Sequence, residues 1–155
     1  MSVLVASPGH DLSLCIPDLK PRRKEAVLAE MVMAAHQAGV VTDPVLLVEL
    51  LKLRERLGST GVGRGVAVPH ARSATVLVPR LVVGRSRRGI DWGAEDDAPA
   101  SLILLVLIPS DWSDEATHGL IARATSAARL QRTRQKLLDA SSLEALATLL
   151  REALA

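Results

Sequence analysis

Residues 54–72 read Arg54-Glu-Arg-Leu-Gly58-Ser59-Thr60-Gly61-Val-Gly63-Arg64-Gly65-Val-Ala-Val-Pro69-His70-Ala-Arg72, and this stretch decides how the chain is organised. It joins the end of a predicted helix to a short apolar strand at residues 66–68, with four glycines between positions 58 and 65. Glycine permits positive φ and a close approach of the backbone to a ligand. Pro69 ends the predicted strand because it has no N–H to donate to a ladder. The pattern therefore predicts that His70 lies at the rim of a sheet and faces a glycine-rich loop.

His70 in that position is a candidate phosphoryl acceptor. Such a histidine needs an outward-facing neutral ring nitrogen and donors around the incoming oxygens, because phosphoryl transfer depends mainly on positioning and electrostatic stabilisation. Backbone N–H groups of residues 61–65 are candidate donors, and Arg54 and Arg64 are candidate charged partners. The alternative is a structural or merely exposed histidine, with the glycines serving as a tight connection between helix and strand. Their spacing fits neither a dinucleotide-binding fingerprint nor a P-loop.

Length and composition point to one globular domain without a nucleic-acid partner. The 155 residues are 48% hydrophobic, with two Trp and no Phe or Tyr, so the predicted core consists of Leu, Val, Ile and Ala. The scarcity of aromatic residues argues against single-stranded nucleic-acid binding, which uses aromatic stacking. The net charge is +2 and the basic residues are scattered, which is typical of solvated faces. Residues 1–10 are expected to form a flexible tail ahead of a single domain at residues 11–155.

The sequence predicts no metal site and no membrane segment. Cys15 is the single cysteine, which excludes an internal disulfide and leaves zinc without a ligand set. Asp91, Glu95, Asp96 and Asp97 share one acidic loop without a histidine, and the preferred interpretation is a solvated loop. No apolar run reaches about 18 residues, and the start of the chain lacks the features of a signal peptide. A cytoplasmic location is therefore the expectation.

The first part of the chain predicts one strand and two helices. Partial alternation over residues 12–16 indicates a half-buried strand. Apolar residues at helical spacing predict a helix within residues 21–39. The pair Asp43-Pro44 is typical of an N-cap and a first helical position, and this second helix is expected to end at residue 57.

The second part predicts a central strand followed by three helices. Pro79 interrupts an apolar run, so the next strand is placed at residues 81–84, with a turn at residues 89–93. Residues 102–108 are continuously apolar, as expected of a strand covered on both faces. The predicted helices lie at residues 113–128, at residues 131–138, and after a capping box at Ser141-x-x-Glu144. This interleaving indicates an α/β or α+β layered domain with helices packed on a mixed sheet.

Three further histidines were weighed as site residues. His118 is predicted in the first turns of the helix after the central strand. Taken alone it is a surface residue, but helix starts collect at the rims of sheets in layered domains, so it could reach His70. His36 and His10 have no supporting neighbours and are assigned no role.

The segment Leu57-Gly-Ser-Thr-Gly-Val-Gly-Arg-Gly-Val-Ala-Val-Pro-His70 resembles a known active-site signature. It is similar to that of the enzyme IIA domains of the bacterial phosphoenolpyruvate-dependent sugar phosphotransferase system, in the mannitol/fructose class with its nitrogen-related branch. The resemblance covers nearly the whole chain and extends to Val41-Thr-Asp-Pro44, Leu53-Arg-Glu-Arg-Leu57, Gly89-Ile-Asp91 and the apolar strand ending at Pro109. It implies a mixed sheet of about five strands with helices on both faces, and neither a metal nor an organic cofactor.

The resemblance also implies roles for individual residues. His70 matches the histidine that takes a phosphoryl group from the phosphocarrier HPr and passes it to a IIB domain. Arg54 matches an active-site arginine, and His118 looks like the family's second histidine, which helps to hold the phosphoryl group. The residues expected to bind the phosphate are Ser59, Thr60, Gly61, Gly63, Arg64 and Gly65.

Two positions depart from the family pattern. Arg64 stands where the family commonly has Asn, so it could strengthen phosphate contact or instead meet an acidic partner. After His118, the residues Gly119-Leu-Ile-Ala-Arg match the usual His-Leu-x-Leu-Leu pattern only with a shift of one residue.

Two functions remain open at the level of sequence. One is a phosphotransfer component that serves a sugar permease and meets the membrane only through it. The other is a regulatory protein of the nitrogen-related kind, whose phosphorylation state controls binding to partners outside transport. A degenerate member that no longer accepts phosphate is a third reading. The sugar, the IIB partner and the choice between monomer and homodimer are not decided by the sequence.

Overall fold

The computed structural model describes residues 4–5 and 13–154. Its strands are β1 (Leu4–Val5), β2 (Ser13–Ile16), β3 (Gly61–Gly63), β4 (Val66–Ala67), β5 (His70–Ser73), β6 (Arg80–Ile90) and β7 (Ala100–Pro109). Its helices are α1 (Lys24–Gln37), α2 (Pro44–Leu57), α3 (Asp114–Arg129), α4 (Gln131–Asp139) and α5 (Leu143–Leu154). No helix in the described part of the chain is both long and apolar enough to cross a membrane.

The strands form one mixed sheet in the order β1-β2-β6-β7-β4-β3, with β5 also paired to β7. β6 and β7 are antiparallel, whereas β2 runs parallel to β6, and β4 and β5 run parallel to β7. β4 and β5 lie along the same edge of β7 in one register, because Val66 is opposite Leu102 and His70 is opposite Val106, an offset of 36 residues in both pairs. The two short strands are thus one strand interrupted at residues 68–69.

Helices cover both faces of the sheet, as predicted. Successive residues of β7 point to opposite faces, which is the period of a strand. Ile103, Leu105 and Leu107 belong to the core shared with α1 and α2. Leu102, Leu104, Val106 and Ile108 belong to the core shared with α3, α4 and α5, which also contains Cys15. The continuous apolar run of this strand is therefore explained by burial on both sides.

Several helix boundaries confirm the sequence expectations. Asp43 caps α2 by accepting a hydrogen bond from the Leu46 N–H (3.1 Å), with Pro44 in the first position. Ser113 caps α3 in the same way, through the Ala116 N–H at 3.0 Å. The expected capping box at Ser141 was wrong by one residue, because Ser142 accepts from the Ala145 N–H at 3.0 Å. Two adjacent serines offer the same chemistry, and only the chain path decides between them.

The expected mixed sheet is confirmed, but its strand count and one strand length differ in detail. The described residues contain seven strands, or six if the interrupted strand β4–β5 is counted once, against about five expected. β6 runs from Arg80 to Ile90 instead of residues 81–84, so the predicted turn at 89–93 begins inside a strand. The chain also resumes pairing as β5 after Pro69, where the sequence predicted a rim. Of the predicted N-terminal tail, the structure describes only Leu4–Val5, which pair with β2; His10 lies outside the described residues.

Candidate functional site

His70 opens β5 and is half-buried at the interruption of the edge strand. Its Nδ1 lies 3.1 Å from the carbonyl oxygen of Val68. A carbonyl oxygen can only accept, so this contact places the proton on Nδ1 and leaves the lone pair of the neutral ring on Nε2. The geometry therefore defines which ring nitrogen is available as a nucleophile.

The glycine-rich stretch before His70 forms a hairpin, β3–β4, instead of an open loop. Gly63 pairs with Val66, and the two residues between them, Arg64 and Gly65, both have positive φ (58° and 80°). Positive φ at both central residues is the signature of a type I′ turn, which favours Asn-Gly. The family's usual Asn at the position of Arg64 thus has a conformational explanation. Arg64 is also one of two described non-glycine residues with positive φ.

Two of the N–H groups that the sequence offered to a phosphate, those of Gly61 and Arg64, already donate within the protein, as does the N–H of the preceding Thr60. The Thr60 N–H donates to Glu55 Oε2 (3.2 Å), the Gly61 N–H to Ser59 Oγ (3.0 Å) and the Arg64 N–H to Asp96 Oδ2 (2.8 Å). The last of these bonds is the main reason why the pKa of the Asp96 carboxyl lies below its ordinary value. These donors stabilise the hairpin, and phosphate binding by the loop stays a prediction that they do not favour.

The two hydroxyls of the loop are engaged as well. Ser59 Oγ donates to the Trp92 carbonyl at 2.5 Å. Thr60 Oγ1 donates to Glu55 Oε1 and accepts from Trp92 Nε1 at 2.9 Å. Thr60 and Trp92 are both buried. These contacts fasten the hairpin to the end of α2 and to the connection between β6 and β7.

The hairpin faces a depression of about 640 Å³ that does not include His70. Four of the predicted phosphate-binding residues line it, namely Ser59, Gly61, Gly63 and Arg64. Across from them lie Glu95 and Asp96 of the acidic loop and Arg129 at the end of α3. The two carboxylates balance the charges of Arg64 and Arg129, so the lining has no net positive charge to favour a phosphate. Within the described residues, no group of three or more His, Cys, Asp or Glu side chains could hold a metal ion.

Arg54 and His118 occupy the ends of two different helices. Arg54, in the last turn of α2, donates from Nη1 to the Gly58 carbonyl at 2.7 Å and is exposed. His118 is an exposed residue in the second turn of α3. The hydrogen bonds and ion pairs of the described residues do not join either side chain to His70. Their roles at the phosphoryl group therefore stay predictions. His36, which was assigned no role, lies with Nδ1 2.7 Å from the Val41 carbonyl oxygen.

Arg72 connects the His70 strand to the helix of His118, a contact that sequence reasoning missed. Its Nη1 donates to Asp114 Oδ1 (2.7 Å) and to the Trp112 carbonyl (3.2 Å) at the start of α3. The hydrogen bond from Arg72 is the main cause of the lowered pKa of the Asp114 carboxyl, and the nearby His118 contributes a smaller effect. Arg72 lies two residues after His70, so strand alternation places both on one side of β5. The two-residue spacing of His70 and Arg72 was the feature of the sequence from which their shared side could have been predicted.

The chain matches the family model of the phosphoenolpyruvate-dependent sugar phosphotransferase system, EIIA 2, over residues 11–153. It belongs to this family. Both of its branches are represented among the curated relatives. The fructose-specific EIIA component of Haloferax volcanii is 34% identical over 98% of this chain and 98% of its own length. The nitrogen regulatory protein of Pseudomonas aeruginosa is 37% identical over 92% of this chain and 89% of its own length.

Not every relative has the size of this EIIA chain. The fructose-specific EIIABC component of Bacillus subtilis is 33% identical over 83% of this chain, which spans only 20% of that relative's length. Activities, substrates and partners of such larger proteins therefore reach this chain only as proposals.

Solved structures of the family share the fold. Nitrogen regulatory protein IIA-Ntr from Neisseria meningitidis superposes with a TM-score of 0.79 at 27% identity, covering 91% of this chain and 92% of that one. Enzyme IIA mannitol from Escherichia coli, in a complex with phosphorylated enzyme IIB mannitol, gives a TM-score of 0.74 at 22% identity, covering 89% and 94%. The mixed sheet with helices on both faces is thus the fold of this EIIA phosphotransfer family.

Proposed function

We propose that this EIIA protein accepts a phosphoryl group on Nε2 of His70 from an HPr-type phosphocarrier and passes it to a IIB domain. The observation that carries the proposal is the contact of Nδ1 with the Val68 carbonyl, which leaves the Nε2 lone pair free. That lone pair attacks phosphorus as the bond between phosphorus and the donor breaks. The proton on Nδ1 stays in its hydrogen bond throughout. In the second transfer a nucleophile of the IIB domain attacks the phosphorus, and the electron pair of the Nε2–phosphorus bond returns to Nε2.

A phosphoryl group on His70 requires hydrogen-bond donors around its oxygens. The phosphoryl group carries roughly −1.5 to −2 charges, and positioned donors stabilise such charge. We propose that His118 and Arg54 supply donors when a phosphorylated partner docks, as the family resemblance implies. Arg72 holds the first turn of α3 against β5, which keeps the helix that carries His118 in place.

A docking surface for the phosphocarrier follows the exposed side of α2. Leu53 and Leu57 are 52% and 81% exposed, and they flank Arg54 at the end of this helix. Leu46 and Leu50 continue the same stripe at helical spacing. Because the stripe leads into the loop that precedes His70, we assign it to an HPr-type phosphocarrier; a second copy of the chain is the competing occupant. Substitution of both Leu53 and Leu57 by Ser should weaken phosphoryl transfer from HPr if the first assignment holds, and abolish a homodimer if the second does.

The regulatory role is the second candidate, because the nitrogen regulatory relative is as similar as the fructose-specific one. The same phosphorylation of His70 would then control binding to a protein outside transport. Neighbouring genes separate the two: IIB and IIC genes favour transport, and nitrogen-regulatory genes favour regulation. A cytoplasmic location, with membrane contact only through a permease, belongs to the same proposal.

The proposal is tested by mass spectrometry after incubation with phosphoenolpyruvate, enzyme I and HPr. The intact chain should gain one acid-labile phosphoryl group, and His70→Ala should gain none. His36→Ala, an exposed histidine outside the site, is the matched control and should be labelled like the parent chain. Full labelling of His70→Ala would remove the assignment.

The same time course tests the two supporting residues. His118→Ala and Arg54→Ala should slow labelling without preventing it, since a charge-assisted hydrogen bond is worth about 1.5–3 kcal/mol. Labelling at the parent rate in either variant would exclude that residue from the site.

A further inference from the structure

We infer that Glu55 is a positioning residue for His70, acting through Thr60 and Val68. Glu55 lies 15 positions before the histidine and makes no contact with it among the described hydrogen bonds. The inference rests on the proposed function for its consequence in phosphoryl transfer, but the contacts that carry it are independent of that function.

The Glu55 carboxylate is the buried acceptor at the start of this connection. Its side chain is 6% exposed. Oε2 accepts from Lys24 Nζ at 2.8 Å and from the Thr60 N–H at 3.2 Å, and Oε1 accepts from the Thr60 hydroxyl. Three donors thus converge on two oxygens of one carboxylate. Bonds of this kind, with an ionised acceptor, are stronger than neutral ones.

Thr60 is held from two further directions. Trp92 Nε1 donates to its hydroxyl at 2.9 Å, and the indole is 1% exposed. Lys24 Nζ lies 5.2 Å from the centre of the Trp92 ring, within the range of a cation–π contact. The ammonium group therefore contacts both Glu55 and the ring that fixes Thr60. Lys24, Glu55, Thr60 and Trp92 thus form a ring of contacts, which restricts the Thr60 side chain to one orientation.

Two backbone bonds then lead from Thr60 to the imidazole. The Thr60 carbonyl accepts from the Val68 N–H at 3.0 Å. The Val68 carbonyl accepts from Nδ1 of His70 at 3.1 Å. The N–H of Val68 is thus hydrogen-bonded to Thr60, and its carbonyl is hydrogen-bonded to the ring of His70. A shift of Thr60 would move the acceptor that selects the Nδ1-protonated tautomer.

A carboxylate is required at position 55 because every group around it donates. Glutamine would keep one acceptor oxygen and would direct an NH₂ group at the Thr60 hydroxyl or at Lys24. Glu55→Gln therefore preserves size but breaks the pattern. A merely structural Glu55 would lower the stability of the variant without altering the ring of His70, so the ring tautomer separates the two roles.

The experiment measures the ¹⁵N shifts of the His70 ring in alkaline solution, where an ordinary imidazole is neutral. The parent chain should show mainly the Nδ1-protonated tautomer. Glu55→Gln should show a mixture, and its phosphorylation by HPr should slow at least about tenfold. Glu144→Gln, an exposed carboxylate in the first turn of α5 and away from the stripe on α2, is the control and should retain the parent tautomer and rate.

A second pair of variants keeps the test decisive if Glu55→Gln does not fold. Thr60→Val removes the hydroxyl and should give the mixed tautomer, whereas Thr60→Ser restores the hydroxyl and should restore the tautomer. An unchanged His70 tautomer in folded Glu55→Gln, or in Thr60→Val when Glu55→Gln is unfolded, would overturn the inference. A parent chain that accepts no phosphoryl group would refute the proposed function instead, and the tautomer would still decide the role of Glu55.

Discussion

Loss of Arg85 should destabilise the packing of the C-terminal end of α4 against the sheet, although Arg85 looks like a surface residue in sequence. It lies in β6 and is 6% exposed. Its Nε donates to the Pro17 carbonyl at 3.1 Å, and its Nη1 donates to the carbonyls of Leu137, Leu138 and Ala140 at 3.0, 3.2 and 2.7 Å. The last carbonyls of a helix have no partner within the helix, so this guanidinium caps the end of α4. It also ties β6 to the segment after β2.

The magnitude follows from these contacts. Nη1 has two hydrogens, so its three contacts amount to two shared bonds, and Nε adds a third. Each bond from a charged donor contributes about 1.5–3 kcal/mol. Burial opposes this gain, as shown by the lowered pKa of Arg85, whose largest cause is desolvation. Arg85→Met relieves that desolvation but leaves buried carbonyls without donors. We expect a net loss of about 2–4 kcal/mol in the free energy of unfolding.

Urea denaturation of the variants checks this value. Arg87→Ala, an exposed arginine on the same strand, is the matched control and should stay within about 0.5 kcal/mol of the parent. The stability of Arg85→Lys should lie between those of the parent and Arg85→Met. A single ammonium group cannot donate both to the Pro17 carbonyl and to the carbonyls at the end of α4, as the guanidinium does. A change below about 0.5 kcal/mol for Arg85→Met, at an unchanged m-value, would refute the capping argument.

Two further predictions concern Glu30 and Gly61. Burial raises the pKa of Glu30, and its Oε2 has no partner among the described residues. The folded state then binds a proton more tightly than the unfolded state. Burial of the ionised Glu30 carboxylate therefore destabilises the fold, and this cost is absent below the ordinary glutamate pKa and complete above the raised pKa. Glu30→Gln should therefore be more stable than the parent near neutral pH and lose this pH dependence in urea titrations; equal stability throughout would contradict it. A Cβ on Gly61 would lie 3.0 Å from that of Ala94, so Gly61→Ala should destabilise by about 1–3 kcal/mol, while Gly58→Ala, which has open space, should change stability little. Equal urea midpoints for these two would contradict the steric reason.

Local chemistry explains what could be predicted from the sequence. Asp43-Pro44 defines the start of α2 because a capping carboxylate and a residue without an N–H both suit that position. The apolar run of β7 identifies a strand covered on both faces, and His70 stands out as the histidine beside a turn-forming stretch. These features depend on neighbours within a few residues along the chain.

Features that depend on distant partners were not predictable. The arginines after Gly84 concealed the length of β6, because Arg85 is buried only through carbonyls more than 50 residues away. The Arg64 N–H of the glycine-rich stretch looked available, since its acceptor Asp96 lies 32 residues later. Arg72 likewise depends on Asp114, 42 residues later. In each case a tertiary contact changed the role of a residue whose type was evident.

Pro69 interrupts the edge strand one residue before His70. The register along β7 is the same before and after it, and the Val106 N–H still donates to the Pro69 carbonyl at 2.9 Å. Proline has no N–H, so at this point the chain cannot contribute a ladder donor and leaves regular pairing for two residues. The Val68 N–H, on the opposite side of the strand, donates to the Thr60 carbonyl, and the Val68 carbonyl accepts from Nδ1 of His70. Because the N–H and C=O of one strand residue point to the same side, a donor at residue 69 would face β7 and would not compete for that carbonyl. The proline therefore ends ladder donation toward β7 only. The Val68 carbonyl is available to the histidine because the Thr60 N–H, its donor in a regular antiparallel pair, donates to Glu55.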